Sequence, residues 1–291
     1  MEKLRGTGVA IVTPFKNGDV DFEALNNLIN FLIDGGCNYI VSLGTTGETP
    51  VLSLKEKQQV LGFTVERVNN RVPVIAGAGG NNTAALIEEM KALPLEGISA
   101  ILSASPYYNK PSQAGIVAHY QAIADAAPRP IILYNVPGRT GRNMTAETTL
   151  SLASHGNIMG MKEASGDMLQ CMEILRNKPE NFEVVSGDDA LALAQIACGM
   201  TGVISVAANA FPAIFSTIVN ECLNENFKAA VKLNNQLIPA YDMMFSENNP
   251  AVIKAFLAEK GLINNELRLP GVPVSTALNQ RIKDFVQMTG Q

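Results

Sequence analysis

The chain has 291 residues, 22 basic and 27 acidic side chains, a net charge of −5 and 47% hydrophobic residues. These values are typical of a folded globular protein and exclude a disordered one. A mildly acidic chain without a basic run also argues against nucleic acid and anionic membranes as partners. The chain has only two histidines, His119 and His155, which nearly excludes zinc sites built on several imidazoles. A Ser-His-Asp triad would have to use one of these two.

The four cysteines point to neither a metal site nor a redox site. No two of them are spaced as Cys-x-x-Cys, and four thiols in a large chain are unlike the disulfide framework of a small secreted domain. The amino terminus contains Glu2 and no long apolar stretch ahead of a cleavage site, so we expect no signal peptide.

One charge-free run, Ala190–Asn220, is long enough to span a bilayer. Gly199, Gly202, Asn209 and Pro212 divide it, which predicts a helix, a strand, a turn and a second helix. We therefore predict that this run is part of a buried core and that the protein is cytoplasmic.

Short apolar, β-branched runs recur along the chain and predict eight strands whose two faces are both hydrophobic, as in parallel strands covered by helices. They are roughly 20 to 33 residues apart, the length of a strand followed by a helix. In chain order the predicted strands are Val9–Val12, Tyr39–Ser42, Val72–Ala76, Ala100–Ser103, Pro130–Tyr134, Ile158–Met161, Val184–Ser186 and Gly202–Val206.

The segments between these strands have apolar residues at helical spacing. A capping box, in which Ser53 and Glu56 satisfy each other's backbone N–H groups, is predicted to open the helix after the second strand. The later predicted helices are Ile116–Ala124, Ala146–Ala153, Met168–Leu175, Ala190–Cys198, Pro212–Leu223, Lys228–Phe245, Pro250–Lys260 and Ser275–Met288.

Eight strand-helix units without a linker predict a (β/α)8 TIM barrel, a fold of typically about 250 residues. The alternative is a doubly wound open sheet, which needs a reversal of strand order that a sequence does not display. Beyond about residue 227 only helical patterns follow. We therefore predict a (β/α)8 catalytic barrel over residues 1–226 and a C-terminal helical region, 227–291, that packs on it.

Active sites of TIM barrels lie at the C-terminal ends of the strands, which makes Lys162, at the end of the sixth strand, the most informative residue. Strand alternation predicts that the even-numbered residues of Ile158–Glu163 share one face and the odd-numbered residues the other. If the first face is the barrel interior, Lys162 projects into an apolar cavity. Burial there disfavours the ammonium form, and a neutral amine attacks a carbonyl. The alternative is a surface lysine at a strand end.

Three further segments that follow strands are candidates for the site. Gly44–Glu48 predicts a tight turn whose backbone N–H groups can hold a carboxylate, although the pattern also fits an ordinary turn. Arg139 either clamps a substrate carboxylate or lies in solvent. Tyr107, Tyr108 and Tyr134 are candidates for handling protons.

Several other polar residues favour structural roles. Asp188 and Asp189 open a predicted helix, where carboxylates cap the helix more often than they bind a metal. Lys110 lies among loop residues, so we expect less desolvation there than at Lys162. We expect His119, on a helix among apolar residues, and His155, near a helix end, to be structural.

A set of motifs at the ends of the strands supports a specific family. The motifs are GTTGE (44–48), PYYNKP (106–111), YNVPGRTG (134–141), KEASG (162–166), SGDD (186–189) and GVISV (202–206). Over essentially its whole length the chain resembles the dihydrodipicolinate synthase family of the pyruvate-dependent class I aldolases and lyases. The arginine in YNVPGRTG favours this family over the N-acetylneuraminate lyases, which have none there.

The resemblance implies a Schiff-base mechanism. Lys162 would form an imine with pyruvate, and the derived enamine would attack L-aspartate 4-semialdehyde in the first committed step of diaminopimelate and lysine biosynthesis. Backbone N–H groups of Thr45 and Thr46 would bind the pyruvate carboxylate. Tyr134, the Thr45 hydroxyl and Tyr108 would relay protons.

The resemblance also implies the remaining partners of the site. Arg139 would hold the second substrate, and Gly187 and Ile204 would contribute backbone contacts. No metal or organic cofactor is needed. Members of the family are commonly homotetramers, dimers of dimers, in which the residue matching Tyr108 crosses a subunit interface.

Two other functions remain open. One is a lyase for N-acetylneuraminate or a 2-keto-3-deoxy sugar acid, against which Arg139 argues. The other is a barrel that serves as a binding or regulatory protein, against which the complete set of Lys162, Tyr134, Thr45 and Arg139 argues.

Regulation by L-lysine is expected to be weak or absent. Inhibited relatives bind lysine in an interface pocket lined by polar residues after GTTGE and by a glutamate early in the helix after the third strand. Asn81 and Tyr107 match that pocket, whereas Pro50, Leu54 and Ala85 depart from it. Strong inhibition at sub-millimolar lysine in an activity titration would contradict this expectation.

Overall fold

The computed structural model describes residues 4–289, whose central feature is a closed barrel of eight parallel strands. The barrel strands are Gly6–Ala10 (β1), Tyr39–Ser42 (β2), Val74–Gly77 (β3), Ile98–Ala104 (β4), Ile131–Asn135 (β5), Ile158–Glu163 (β6), Glu183–Ser186 (β7) and Gly202–Ser205 (β8). Because β1 pairs with both β2 and β8, the sheet closes on itself. This closure confirms the TIM barrel and excludes the open doubly wound sheet.

A helix follows each barrel strand, and three more helices form the C-terminal region, as the sequence predicts. The helices are Phe22–Asp34 (α1), Leu54–Val68 (α2), Thr83–Ala92 (α3), Gln113–Ala126 (α4), Ala146–Ala153 (α5), Met168–Asn177 (α6), Ala192–Ala197 (α7), Pro212–Leu223 (α8), Phe227–Met244 (α9), Ala251–Glu259 (α10) and Thr276–Thr289 (α11). A one-turn helix, Pro137–Thr140, precedes α5, and a hairpin that the sequence did not predict pairs Phe15–Lys16 with Asp19–Val20.

Strand β1 begins earlier than its apolar pattern predicts, at Gly6. Gly6 pairs with Gly202 of β8, and Gly8 faces the ring of Tyr39 so closely that a Cβ would lie 2.0 Å from a ring carbon. Glycine leaves space for the tyrosine inside the barrel, and hydrophobic patterning does not detect a strand residue that has no side chain.

The predicted capping box of α2 is present. The Ser53 side chain accepts from the backbone N–H of Glu56, and the Glu56 carboxylate accepts from the backbone N–H of Ser53 at 2.8 Å. These bonds satisfy two donors that a helix start otherwise leaves without partners. They fix where the chain leaves the Gly44–Glu48 turn and enters the helix.

The apolar side chains form an inner core within the barrel and an outer core between the barrel and its helices. The inner core contains Tyr134, Val185 and Ile204. The outer core extends into the C-terminal helices, with Leu237 of α9 and Phe256 of α10 among its members. Burying each such side chain contributes roughly 1.5–3 kcal/mol. The C-terminal region therefore packs on the barrel, while the boundary at residue 227 stays a prediction.

The charge-free run over 190–220 forms α7, β8 and most of α8, which confirms that it is part of the core. Within residues 4–289, no helix combines the length and the apolar character that crossing a membrane requires.

Candidate active site

Lys162 lies on β6 at the C-terminal end of the barrel, where its side chain points inward. It pairs across the sheet with Tyr134 of β5 and Val185 of β7, and paired residues on parallel strands face the same side. Only 4% of Lys162 is exposed, and its Nζ lies 4.6 Å from the centroid of the Tyr134 ring. The interpretation as a surface lysine is therefore wrong.

The predicted alternation along β6 is correct from Gly160 onward and wrong before it. Ile158 packs in the outer core, and Met159 packs against the inner one. The cause is a register shift, because Ile131 pairs with Ile158 while the next residue of β5 pairs with Gly160. One extra residue on a strand moves every residue before it to the opposite face.

Gly187, at the end of β7, provides the space for the lysine side chain. A Cβ at this position would lie 2.9 Å from Cε of Lys162 and 2.6 Å from Cβ of Ala164. The backbone N–H of Gly187 donates to the carbonyl of Glu163 at 2.7 Å, which holds the two strand ends together. A larger residue at 187 would displace the amine that the sequence singles out.

The segment after β2 forms a one-turn 3₁₀ helix, Thr45–Gly47, next to the strand ends. Thr45 and Thr46 are its first two residues, and the first N–H groups of a helix have no partner within the helix. The Thr49 hydroxyl donates to the carbonyl of Leu43 at 2.6 Å and so fixes the start of the turn. This geometry fits the predicted carboxylate-binding turn.

Two asparagines of the C-terminal region link this turn to Arg139. The Asn249 amide donates to the hydroxyl of Thr46 at 3.0 Å. Nη2 of Arg139 donates to Oδ1 of Asn248 and to the backbone carbonyl of Asn249, each at 3.2 Å. No local pattern pointed to Asn249, because 203 residues separate it from Thr46.

The structure does not bring Tyr108 into this group. This residue is 87% exposed, and its backbone is left-handed with φ of 70°. Tyr107 is also exposed, and Lys110 is exposed as expected. Ile204, in contrast, is fully buried in the same inner core as Tyr134.

The model of the dihydrodipicolinate synthetase family matches residues 3–289 of the chain. The chain belongs to this family. It is 46% identical to the 4-hydroxy-tetrahydrodipicolinate synthase of Parabacteroides distasonis over 286 residues, which cover 98% of this chain and 96% of the relative.

Solved structures of family members have the same fold. The dihydrodipicolinate synthase of Aquifex aeolicus is 37% identical with a TM-score of 0.96, and the match covers 99% of this chain and 98% of that one. The chloride-inhibited dihydrodipicolinate synthase of Acinetobacter baumannii, complexed with pyruvate, is 39% identical with a TM-score of 0.95, and the match covers 98% and 99% of the two chains.

The two aspartates of the SGDD motif have different roles in this family member. Oδ1 of Asp188 accepts from the backbone N–H groups of Ala190 at 3.0 Å and Leu191 at 3.2 Å, so it holds the turn before α7 and does not cap the helix itself, which begins without a side-chain cap. For Asp189 the prediction is also wrong, because its carboxylate accepts from the N–H groups of Val206 and Ala207, which follow β8. Burial raises the pKa of Asp189 above its ordinary value. Asp189 thus fixes the loop that follows Ile204.

The histidines occupy structural positions, as the sequence predicts. His119 is buried with Nδ1 2.9 Å from the Thr83 hydroxyl, and burial lowers its pKa to about 4. His155 lies 3.1 Å from Asp125 near the surface. Over the part of the chain that the structure describes, no three His, Cys, Asp or Glu residues cluster as metal ligands do.

Proposed function

We propose that the protein is a 4-hydroxy-tetrahydrodipicolinate synthase, a Schiff-base-forming lyase that condenses pyruvate with L-aspartate 4-semialdehyde in diaminopimelate and lysine biosynthesis. The observation that carries the proposal is the position of Lys162, buried inside the barrel with Nζ against the Tyr134 ring, in a chain that belongs to the family.

The proposed reaction begins when the neutral Lys162 amine attacks the ketone of pyruvate and water leaves, which forms an imine. The positive charge of the protonated imine acidifies the neighbouring methyl group, because its carbanion is delocalised as an enamine. The enamine carbon then forms a bond to the aldehyde carbon of L-aspartate 4-semialdehyde. Attack by the amino group of that substrate on the imine carbon closes the ring and releases the lysine.

The other site residues are assigned by the groups they present. We assign the pyruvate carboxylate to the backbone N–H groups of Thr45 and Thr46, at the start of a 3₁₀ turn. We assign backbone contacts with the imine intermediate to Gly187 and Ile204. Arg139 is assigned to the carboxylate of the aldehyde substrate, since a guanidinium binds carboxylates with two parallel hydrogen bonds.

We assign proton transfer to Tyr134, the Thr45 hydroxyl and Tyr108. Tyr134 is buried in the inner core, whereas Tyr108 is 87% exposed. Because members of the family are commonly homotetramers in which the residue matching Tyr108 crosses a subunit interface, the assignment includes a homotetramer, a dimer of dimers, in which the exposed Tyr108 completes the site of its partner. We also propose a cytoplasmic location.

Product formation with a panel of aldehydes tests this function. With pyruvate and L-aspartate 4-semialdehyde the enzyme should form the heterocycle, whereas N-acetylmannosamine and sugar-derived aldehydes should give no condensation. Arg139→Ala should raise KM for the semialdehyde about 100-fold, because the lost contacts are charge-assisted. Arg142→Ala, which changes a neighbouring exposed arginine, is the control. Condensation with N-acetylmannosamine alone would assign the protein to the sugar-acid lyases.

A further inference from the structure

The segment Asn248–Lys254, which comprises the end of the connection between α9 and α10 and the first turn of α10, contacts both halves of the proposed substrate site. Its side chains and backbone bind the Thr45–Gly47 turn on one side and Arg139 on the other. We propose that this segment positions both substrate-binding elements, with Asn249 acting on the pyruvate side and Asn248 on the aldehyde side. The inference rests on the proposed function, because that function assigns the two substrates to these elements.

The pyruvate side is held at two points. Asn249, which is 5% exposed, donates to the hydroxyl of Thr46 and so restrains the second residue of the turn. Glu48 follows the turn directly with a left-handed backbone at φ of 53°, and its carboxylate forms an ion pair with Lys254. A side chain anchored in this way stabilises a backbone conformation that glutamate rarely adopts.

Lys254 is built into the interior at the far end of this segment. It is fully buried, its Nζ donates to the carbonyl of Glu266 at 2.9 Å, and it lies 4.1 Å from the centroid of the Phe15 ring. A buried charge is retained only where a partner compensates for lost hydration. The ion pair thus ties the C-terminal region to the residue that ends the turn.

The aldehyde side depends on the orientation of Arg139. This side chain is exposed, and its Nη2 is shared by the Asn248 amide oxygen and the Asn249 carbonyl. Free arginine side chains lose much rotamer entropy when they bind a ligand. Holding the guanidinium before the substrate arrives reduces that loss and therefore lowers KM for the aldehyde.

The two asparagines allow the two sides to be separated experimentally. Asn249→Ala removes the bond to Thr46 but keeps the backbone carbonyl that binds Arg139. Asn248→Ala removes one acceptor of Arg139, together with the bond that Oδ1 of Asn248 accepts from the backbone N–H of Asn249 at 2.9 Å, but it keeps the Asn249 amide that binds Thr46. Asn279→Ala is a matched control, because its amide also makes a 3.0 Å bond in the C-terminal region, to Glu259.

The test measures two quantities on the full-length enzyme: the pyruvate concentration that gives half-maximal borohydride trapping, and KM for L-aspartate 4-semialdehyde. Asn249→Ala should raise the first about tenfold, and Asn248→Ala should raise the second about tenfold, because each variant removes one hydrogen bond to its substrate-binding element. Each variant should leave the other quantity within about twofold of wild type, and Asn279→Ala should change neither.

Wild-type values for both variants would overturn the inference, as would equal changes in both quantities, which indicate a general structural effect. If Asn249→Ala does not fold, the test rests on Asn248→Ala, which changes an exposed residue. An unchanged KM for the aldehyde in that variant then overturns the inference. Failure of the proposed function has a different signature, because wild-type enzyme would then give either no trapped adduct with pyruvate or no condensation of pyruvate with L-aspartate 4-semialdehyde.

Discussion

At the scale of single residues, Gly187 decides whether the Lys162 amine can reach a substrate. A Cβ at 187 would approach Cε of Lys162 to 2.9 Å, which is less than the separation of carbon atoms in contact. We expect Gly187→Ala to slow borohydride trapping with pyruvate at least about tenfold while costing about 1–3 kcal/mol of stability. Gly62→Ala is the control, since its added Cβ meets no atom within 4 Å apart from its chain neighbours and the backbone of its own helix. Trapping at the wild-type rate would contradict this account of Gly187.

His119 makes stability depend on pH. Burial lowers its pKa from 6.5 to about 4, and its Nε2 has no hydrogen-bond partner within residues 4–289. Between pH 6.5 and 4 the unfolded chain therefore binds a proton that the folded chain does not. The free energy of unfolding should fall by up to about 3 kcal/mol as the pH falls through this window.

Urea unfolding at pH 7 and pH 5 measures this contribution. His119→Gln, which does not titrate, should lose less stability than wild type between the two pH values. Because all other titrating groups are common to both proteins, the difference isolates His119. Equal losses in wild type and variant would show that His119 does not titrate differently in the folded state.

At the scale of secondary structure elements, periodicity predicts which segments are strands and helices but not where the pattern is interrupted. The end of β6 follows simple alternation, so the inward direction of Lys162 could be predicted. The directions of Ile158 and Met159 could not be predicted. They depend on the extra residue in the pairing of β6 with β5, and no local sequence pattern indicates it. The hydrogen bonds of Asp189 could not be predicted either, since Asp189 follows β7 and its partners follow β8.

One contact between elements did leave a signal in the sequence. Lys254 is the one charged residue in the run Ala251–Leu257 of α10, whose other members are apolar. A charge in such a run indicates either that the residue reaches solvent or that it pairs with a buried residue of opposite charge. Glu48, a charged residue at the end of a turn of small residues, is that partner. Patterning can flag such a residue, but only the fold brings the two together.

The ion pair between Glu48 and Lys254 should be the strongest interaction between the Gly44–Glu48 turn and α10, and its loss should be visible in the free energy of unfolding. Lys254→Met leaves the buried Glu48 carboxylate without its cation, so it should lower the free energy of unfolding by about 3–5 kcal/mol. The double variant Glu48→Gln with Lys254→Met leaves no unpaired charge and should recover much of that loss. Urea denaturation of Lys254→Met, Glu48→Gln and the double variant gives the comparison. Additive losses would contradict the coupling.

At the scale of the whole molecule, the number of strand-helix units was sufficient to predict the barrel and the helical tail. The closing pair between β1 and β8 was not visible, because strand partners are separated by almost the whole barrel in sequence. The same limit applies to the site. Residues in motifs after the strands could be found, whereas Asn248 and Asn249 reach the barrel mouth only through the packing of the C-terminal region. The expected weak inhibition by L-lysine stays a prediction.

The claim on which the mechanism depends is that Lys162 forms the imine with pyruvate. Incubation with pyruvate and borohydride, followed by digestion and mass spectrometry, should locate one reduced adduct on the peptide that contains Lys162. The Lys162→Ala variant should give none, and the exposed Lys110 should remain unmodified in both proteins. An adduct that persists in Lys162→Ala, or the absence of any adduct in the wild-type enzyme, would contradict the mechanism.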